Sequence, residues 1–274
     1  MSFNLRLKNL SMPLNIPIAD FNNKNVWIIG ASSGIGEACA QWMVHRGANV
    51  FISARREELL HLLVSKLKPL NNTASIHCLS LDVTDENSVH KAVGHVLEVW
   101  DHIDVVLFVS GIYTPIRAEN FDYQISKKMV QTNLLGPMLV VSSLMPQLLK
   151  QQFGHIALVG SVAGYSGLPQ SLVYGPTKAA LLNFSESLYY DLKPHGISVH
   201  IISPGFVKTP ATDQNDFHMP ALISAQDAAN AIGQGLSKGE FDIHFPKRFS
   251  RFLKFLRILP YPLYFWIVRR FVKI

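Results

Sequence analysis

Tyr174 and Lys178 stand four residues apart in Tyr-Gly-Pro-Thr-Lys, a spacing that puts both side chains on one face of a helix. A phenol with an ordinary pKa near 10 exchanges protons poorly at neutral pH. A neighbouring ammonium favours the phenolate and draws that pKa toward the range where proton transfer is efficient. Taken alone, the pair also occurs on solvent-facing helices. A second candidate lies near the N-terminus, where Gly30-Ala-Ser-Ser-Gly34-Ile-Gly36 follows the apolar run Val26-Trp-Ile-Ile29. Gly30 permits a tight turn, Gly34 lets the backbone approach a pyrophosphate, and Gly36 allows a helix to pack closely on a sheet. The free N–H groups and dipole of the helix that follows favour an anion there. Ser32 and Ser33 add hydroxyl donors. The next apolar run ends in Ser53-Ala54-Arg55-Arg56, with no acid before Glu57. An acid at that point would bind the ribose 2′-OH of NAD, and an arginine accommodates the 2′-phosphate of NADP. These residues point to NADP(H), with Arg55 as the principal contact and Arg56 beside it.

The elements that must position these groups follow from hydrophobic patterning. Apolar runs at 26–29, 49–53, 75–81, 103–109, 155–160, 197–203 and 241–245 read as seven strands. Helical patterns at about 34–46, 57–67, 86–100, 125–149, 174–192 and 225–236 alternate with them, the last capped by Ser224. Most strands are continuous apolar runs, the mark of a parallel sheet covered on both faces. The expectation is one α/β domain with a doubly wound parallel sheet, whose ligand lies at the carboxyl ends of the strands. Residues 1–23, with Pro13 and Pro17, read as an irregular arm, within which Met12 offers a second possible start. Residues 24–245 form the domain, and 246–274 a separate segment.

Composition bounds the setting. The chain has 274 residues, 48% hydrophobic and 16% charged, enough to bury a large core and too apolar for disorder. Two cysteines, Cys39 and Cys78, cannot build a disulfide framework, and no signal-type apolar run opens the chain. A reducing, cytoplasmic setting is expected. The net charge of +6 is concentrated beyond residue 245, where eight Lys/Arg stand with no acid. The eleven histidines lack cysteine or carboxylate partners at ligand spacing, so no metal site is expected.

Several features together carry a family resemblance. The glycine turn at Gly30, Gly34 and Gly36, Tyr174 with Lys178, Ser161 thirteen residues before the tyrosine, Asn133 in Thr-Asn-Leu-Leu-Gly, and Pro204-Gly205 all match one pattern. Over residues 24–245 the chain resembles the short-chain dehydrogenase/reductase family in its compact, single-domain, Rossmann-like form. The resemblance implies hydride transfer between a nicotinamide and a carbonyl or alcohol carbon. Tyr174 would act as general acid, Ser161 would hydrogen-bond the substrate oxygen, Lys178 would stabilise phenolate and hold the ribose, and Asn133 would anchor a water leading outward. It also implies cofactor contacts from Ile35, Asp82, Val83, Gly111 and Val207, and a homodimer or homotetramer. One departure stands out: the family's Asn-Asn-Ala-Gly is here Phe108-Val109-Ser110-Gly111.

Candidates for the substrate pocket follow the strands: Ile112, Tyr113, Thr114, Tyr165, Gly167, Leu168, Phe206 and Val207. Of these, Tyr165 and Phe206, with Ser161 and Tyr174, are the expected substrate contacts. They are chiefly apolar, which favours a lipophilic ketone or aldehyde. Residues 208–224 read as a mobile flap over the pocket. A helix from Arg248 to Leu259 would gather Phe249, Phe252, Leu253, Leu256 and Leu259 on one face and Arg251, Lys254 and Arg257 on the other. The apolar stretch 258–268 is too short to span a bilayer. Two readings of 246–274 follow: it lies on an anionic membrane surface at the cytoplasmic face, or it packs on its own domain or a second subunit and covers the pocket. Nucleic acid is not expected, for lack of a stacking or groove-reading element. A soluble reductase of small carbonyls and a non-catalytic dinucleotide-binding sensor are the alternatives.

Overall fold

The computed structural model describes residues 12–213 and 219–271. Seven strands form one all-parallel sheet: β1 (Asn25–Ile29), β2 (Asn49–Ala54), β3 (Ile76–Ser80), β4 (Val105–Phe108), β5 (Gly154–Val159), β6 (Ile197–Pro204) and β7 (Asp242–Phe245). Their order is β3-β2-β1-β4-β5-β6-β7. The chain runs outward one way from β1 to β3 and then returns to place β4 on the other side of β1. That reversal opens a crevice between the carboxyl ends of β1 and β4, the place where such sheets bind ligands.

Both sheet faces are covered, as the continuous apolar strands require. Val26 and Ile28 of β1 enter a core shared with α1 (Gly34–Val44), α2 (Glu57–Leu67) and α7 (Ala225–Ser237). Trp27 and Ile29, alternating with them, enter the opposite core. That core is built with α3 (Glu86–Val99), α5 (Gly136–Gln151) and α6 (Tyr174–Leu192). The helix expected over 125–149 is continuous from α4 (Tyr123–Val130) through a π-turn (Gln131–Leu135) into α5. It is also the described helix long and apolar enough to cross a membrane. Val140, Val141, Leu144 and Leu148, however, lie buried in the core, which accounts for its apolarity.

The described part of the N-terminal arm has neither helix nor strand, but it is not loose. Asn15 donates to the Val199 carbonyl (2.6 Å) and accepts from the Val199 N–H (3.1 Å). Phe21 sets its ring edge-on to Trp42 at 5.1 Å.

Residues beyond 245 do not stand off as a separate tail. They form α8 (Lys247–Arg257) and α9 (Tyr261–Phe271), which fold back on the domain. The prolines expected to interrupt the chain fall at the α8–α9 junction and in the first turn of α9, where a missing N–H costs nothing. Leu253 and Leu256 of α8 and Tyr264 and Val268 of α9 share a buried cluster with Val162 and Tyr165. A polar latch flanks it. Asp242 at the start of β7 pairs with Lys254 (2.6 Å) and accepts hydrogen bonds from Ser203 (2.9 Å) and Tyr165 (3.2 Å). If this docking holds α8 in place, Leu256→Ala lowers the unfolding free energy by about 2–4 kcal/mol. Urea unfolding measures it, and an unchanged midpoint would mean that α8 does not pack there.

Candidate active site

At the crevice between β1 and β4, the chain leaves β1 through the glycine turn. Gly30 adopts φ +95°, and a side-chain carbon on Gly36 would lie 2.2 Å from the Gly30 carbonyl oxygen. The turn therefore requires glycine at both positions: one for its backbone, the other for the close approach of α1. Thr209, just after β6, closes over this turn, so that a carbon added to Gly34 would lie 2.9 Å from its methyl group.

The turn forms one end of a cavity of about 1360 Å³. Ser32, Ser33, Gly34 and Ile35 line it there, next to Arg55 and Arg56 at the end of β2 and Asp82 and Val83 beyond β3. Arg56 donates to the Ser32 hydroxyl at 3.1 Å. Burial pushes the Asp82 carboxyl up, but two hydrogen bonds from Thr84 and the charges of Arg55 and Lys128 outweigh it, leaving the group below the usual carboxylate range. Gly111, Pro204, Gly205, Phe206 and Val207 line the middle of the cavity. Residues 214–218 of the expected flap lie outside the described residues.

Ser161, Tyr174 and Lys178 also line this cavity. Ser161 leaves β5 in extended backbone and caps the short turn that follows, accepting from Ala163 N–H (3.1 Å). Tyr174 begins α6, and Lys178 follows one turn later, its ammonium 5.6 Å from the Tyr174 ring centre. A carbon on Gly164 would lie 2.7 Å from the Lys178 backbone, so this glycine lets α6 sit close against the Ser161 turn. The Lys178 ammonium donates to the Val159 carbonyl (2.8 Å), and burial lowers its pKa to about 8. Burial pushes the Tyr174 phenol up to about 12, against a hydrogen bond with Ser161 that pulls it down. Tyr113, whose ring meets Tyr174 edge-on at 5.0 Å, adds to the rise. Dehydration thus places the phenol above its ordinary range, where the spacing to Lys178 alone predicts a shift the other way.

Asn133 is fully buried in the π-turn. Its amide clasps the Ile112 backbone in both directions, accepting from N–H and donating to C=O, each at 2.8 Å. It thereby fixes the strand-end loop: a carbon on Gly111 would lie 3.3 Å from the Asn133 oxygen and 3.6 Å from the Lys178 nitrogen.

Tyr165 lies outside the cavity lining. Its ring packs against α8 and α9 and its hydroxyl reaches Asp242. Gly167 accepts a hydrogen bond from the Tyr264 hydroxyl. Several lining residues escape sequence reasoning. Val109 and Thr132 line the cofactor side beside Ser110, which the end of the fourth strand already singles out; Val109 and Ser110 stand at the places of the family's second asparagine and alanine. Ser171, whose buried hydroxyl has no hydrogen-bond partner among the described residues, lines the other wall. Phe249, Leu253, Leu256, Ile267 and Val268 bring α8 and α9 into that wall. Their apolar spacing was visible in α8, but not which surface it would meet.

The glycine turn, the phenol–ammonium pair and the seryl hydroxyl converge on one cavity, and the sequence as a whole agrees with this geometry. Residues 24–219 match the family model of the short chain dehydrogenases. The chain belongs to the short-chain dehydrogenases. An uncharacterized oxidoreductase of Myxococcus xanthus is 30% identical over 92% of this chain and 99% of its own. A dehydrogenase/reductase SDR family protein 7-like protein of Drosophila melanogaster is 28% identical over 98% and 91%. The fold matches a short-chain dehydrogenase from Streptomyces avermitilis with a TM-score of 0.74 at 24% identity, covering 85% of this chain and 92% of that one. It also matches actinorhodin polyketide ketoreductase with NADPH, with a TM-score of 0.73 at 21% identity over 83% and 96%. As a short-chain dehydrogenase the protein is an NAD(P)-dependent oxidoreductase.

The buried lysine leaves a thermodynamic signature. Its pKa is lowered in the folded state, from 10.5 to about 8. Between those values the unfolded chain therefore holds more proton at residue 178 than the folded one, and stability rises with pH. Relative to Lys178→Met, the native protein gains up to about 3 kcal/mol between pH 8 and 10.5. Parallel pH–stability curves from chemical denaturation would contradict this.

Proposed function

We propose that the protein is an NADP(H)-dependent reductase of a lipophilic ketone or aldehyde. The observation that carries this reading is a single cavity with cations at one end, a protonated phenol in its wall, and aromatic and aliphatic side chains around the rest. Gly30–Gly36 with the first turn of α1 suit a pyrophosphate, and the closeness of Gly36 to Gly30 leaves room for nothing but backbone. Arg55, Arg56 and Ser32 suit a ribose 2′-phosphate, because β2 ends without an acid to repel it. Ile35, Val83, Val109 and Gly111 would flank the rest of the cofactor, with Val207 beyond β6. When bound, the nicotinamide supplies the hydride.

The chain's own residues govern the proton. Ser161 fixes the carbonyl oxygen beside the Tyr174 hydroxyl. Tyr174 gives its proton to that oxygen as negative charge develops on it. The phenolate left behind is then stabilised by the Lys178 ammonium, whose cost of burial falls once an opposite charge appears beside it. Asn133 acts by holding Ile112 and the loop after β4. Phe206, Leu168 and the inward faces of α8 and α9 supply apolar walls for an alkyl or aryl substituent. Among the described residues no cation or cluster of charges lines that end for a carboxylate or phosphate on the substrate.

The test is NADPH oxidation with ketones and aldehydes graded by chain length, repeated with NADH and with Arg55→Ala/Arg56→Ala. kcat/KM should rise with chain length. The double variant should lose about 10- to 100-fold with NADPH, as expected for two charge-assisted contacts, and little with NADH. Silence toward every carbonyl alongside tight NADPH binding would instead indicate a sensor. Equal losses with both cofactors would remove the arginines from the 2′-phosphate.

A further inference from the structure

The two C-terminal helices have an outward face that the reductase reading does not use. α8 and α9 both bury one side in the cluster around Val162 and Tyr165, so their opposite sides face solvent. On α8 that side presents Arg248, Arg251, Phe255 and Ile258, with Phe255 53% and Ile258 76% exposed. On α9 it presents Phe265, Trp266, Arg269 and Arg270, with Trp266 64% exposed. Exposed large aromatics are expensive in water and here they lie on adjacent helices rather than scattered.

Charge selects what could cover them. Among the described residues no acid pairs with Arg248, Arg251, Arg269 or Arg270; Lys247 and Lys254 alone on these helices are paired, with Glu240 and Asp242. A second copy meeting this face through its own would bring guanidinium against guanidinium. A surface of anionic phospholipid answers both parts, since headgroup phosphates neutralise the cations while Trp and Phe settle at the headgroup–acyl boundary.

The same helix reaches the active site. Phe252 of α8 lines the catalytic cavity and is 41% exposed. It therefore sits at the mouth; Pro210 and Pro220 of the segment after β6 also line the cavity and are exposed. Arg251 and Phe255 are its neighbours on the outer surface of α8. We propose that the outer face of α8 and α9 docks on an anionic lipid bilayer, and that the mouth at Phe252 opens onto that bilayer, so that a membrane-dissolved carbonyl compound enters without crossing water. The second half rests on the reductase reading; the first does not.

The test uses the full chain and two double variants, Phe255→Ser/Trp266→Ser and Arg248→Glu/Arg251→Glu, with circular dichroism and melting temperature showing that each folds as the native protein does. Co-sedimentation is measured with vesicles of phosphatidylcholine alone and of phosphatidylcholine with phosphatidylglycerol. NADPH oxidation is followed with a long-chain ketone dissolved in the vesicles and with a short water-soluble ketone. The native protein should pellet with the anionic vesicles, and each variant should lose at least tenfold in partitioning. Turnover of the vesicle-dissolved ketone should fall at least tenfold in the variants while the soluble ketone is reduced at the native rate. A native protein that stays in the supernatant with anionic vesicles overturns the docking, as does a self-association abolished by Phe255→Ser/Trp266→Ser in the absence of lipid. Equal changes for both ketones overturn the opening onto the bilayer. If the native protein reduces neither ketone, the reductase reading and the access route fail together, and sedimentation still decides the docking.

Discussion

A half-buried phenol and a buried ammonium stand side by side at the carboxyl edge of a parallel sheet, and each would lose solvation by carrying charge there. That shared dehydration is the constraint on which the site depends. It raises Tyr174 to about 12 and lowers Lys178 to about 8, so the pair rests with its proton on the oxygen. A protonated phenol is the form a reductase needs at the moment hydride arrives. Once the proton has gone, the two charges compensate each other in a medium where Coulomb attraction is strong. On the proposed reductase reading, the lysine acts after the transfer rather than before it.

The scaffold serves to hold this arrangement. Gly164 lets α6 approach the Ser161 turn, Val159 at the end of β5 holds the ammonium, and Asn133 fixes the loop opposite. The glycine turn after β1 and the loop after β4 meet at the change of strand order, so cofactor cradle and acid face one cavity. The protein's departure at Val109-Ser110 leaves Gly111 in place, where an added carbon would press on the Asn133 oxygen at 3.3 Å.

Much of this was legible in the sequence for a physical reason: strand, turn and helix signals are local. Apolar runs, glycine spacing and the four-residue Tyr–Lys interval each act within one element. What stayed hidden depends on contacts across the chain. Nothing near Tyr165 announces that its hydroxyl will meet Asp242, 77 residues away. The Asn133 motif does not disclose that its amide would clasp Ile112 across a π-turn. The spacing shows the ammonium beside Tyr174 but not the burial that raises the phenol. Beyond residue 245 the amphipathic pattern was plain, but whether its apolar side met lipid or protein was not. In the fold that side meets the catalytic domain, and a second, outer surface of aromatic and cationic residues remains.

The most direct test of the account is the ionisation of Tyr174 itself. The ultraviolet difference spectrum near 295 nm between the native protein and Tyr174→Phe isolates this one phenol from the others. It should show no phenolate at residue 174 below pH 10, because burial outweighs the hydrogen bond with Ser161. A difference signal that titrates near neutral pH would show that the ammonium controls the group, and would contradict the claim that the site stores its proton on Tyr174.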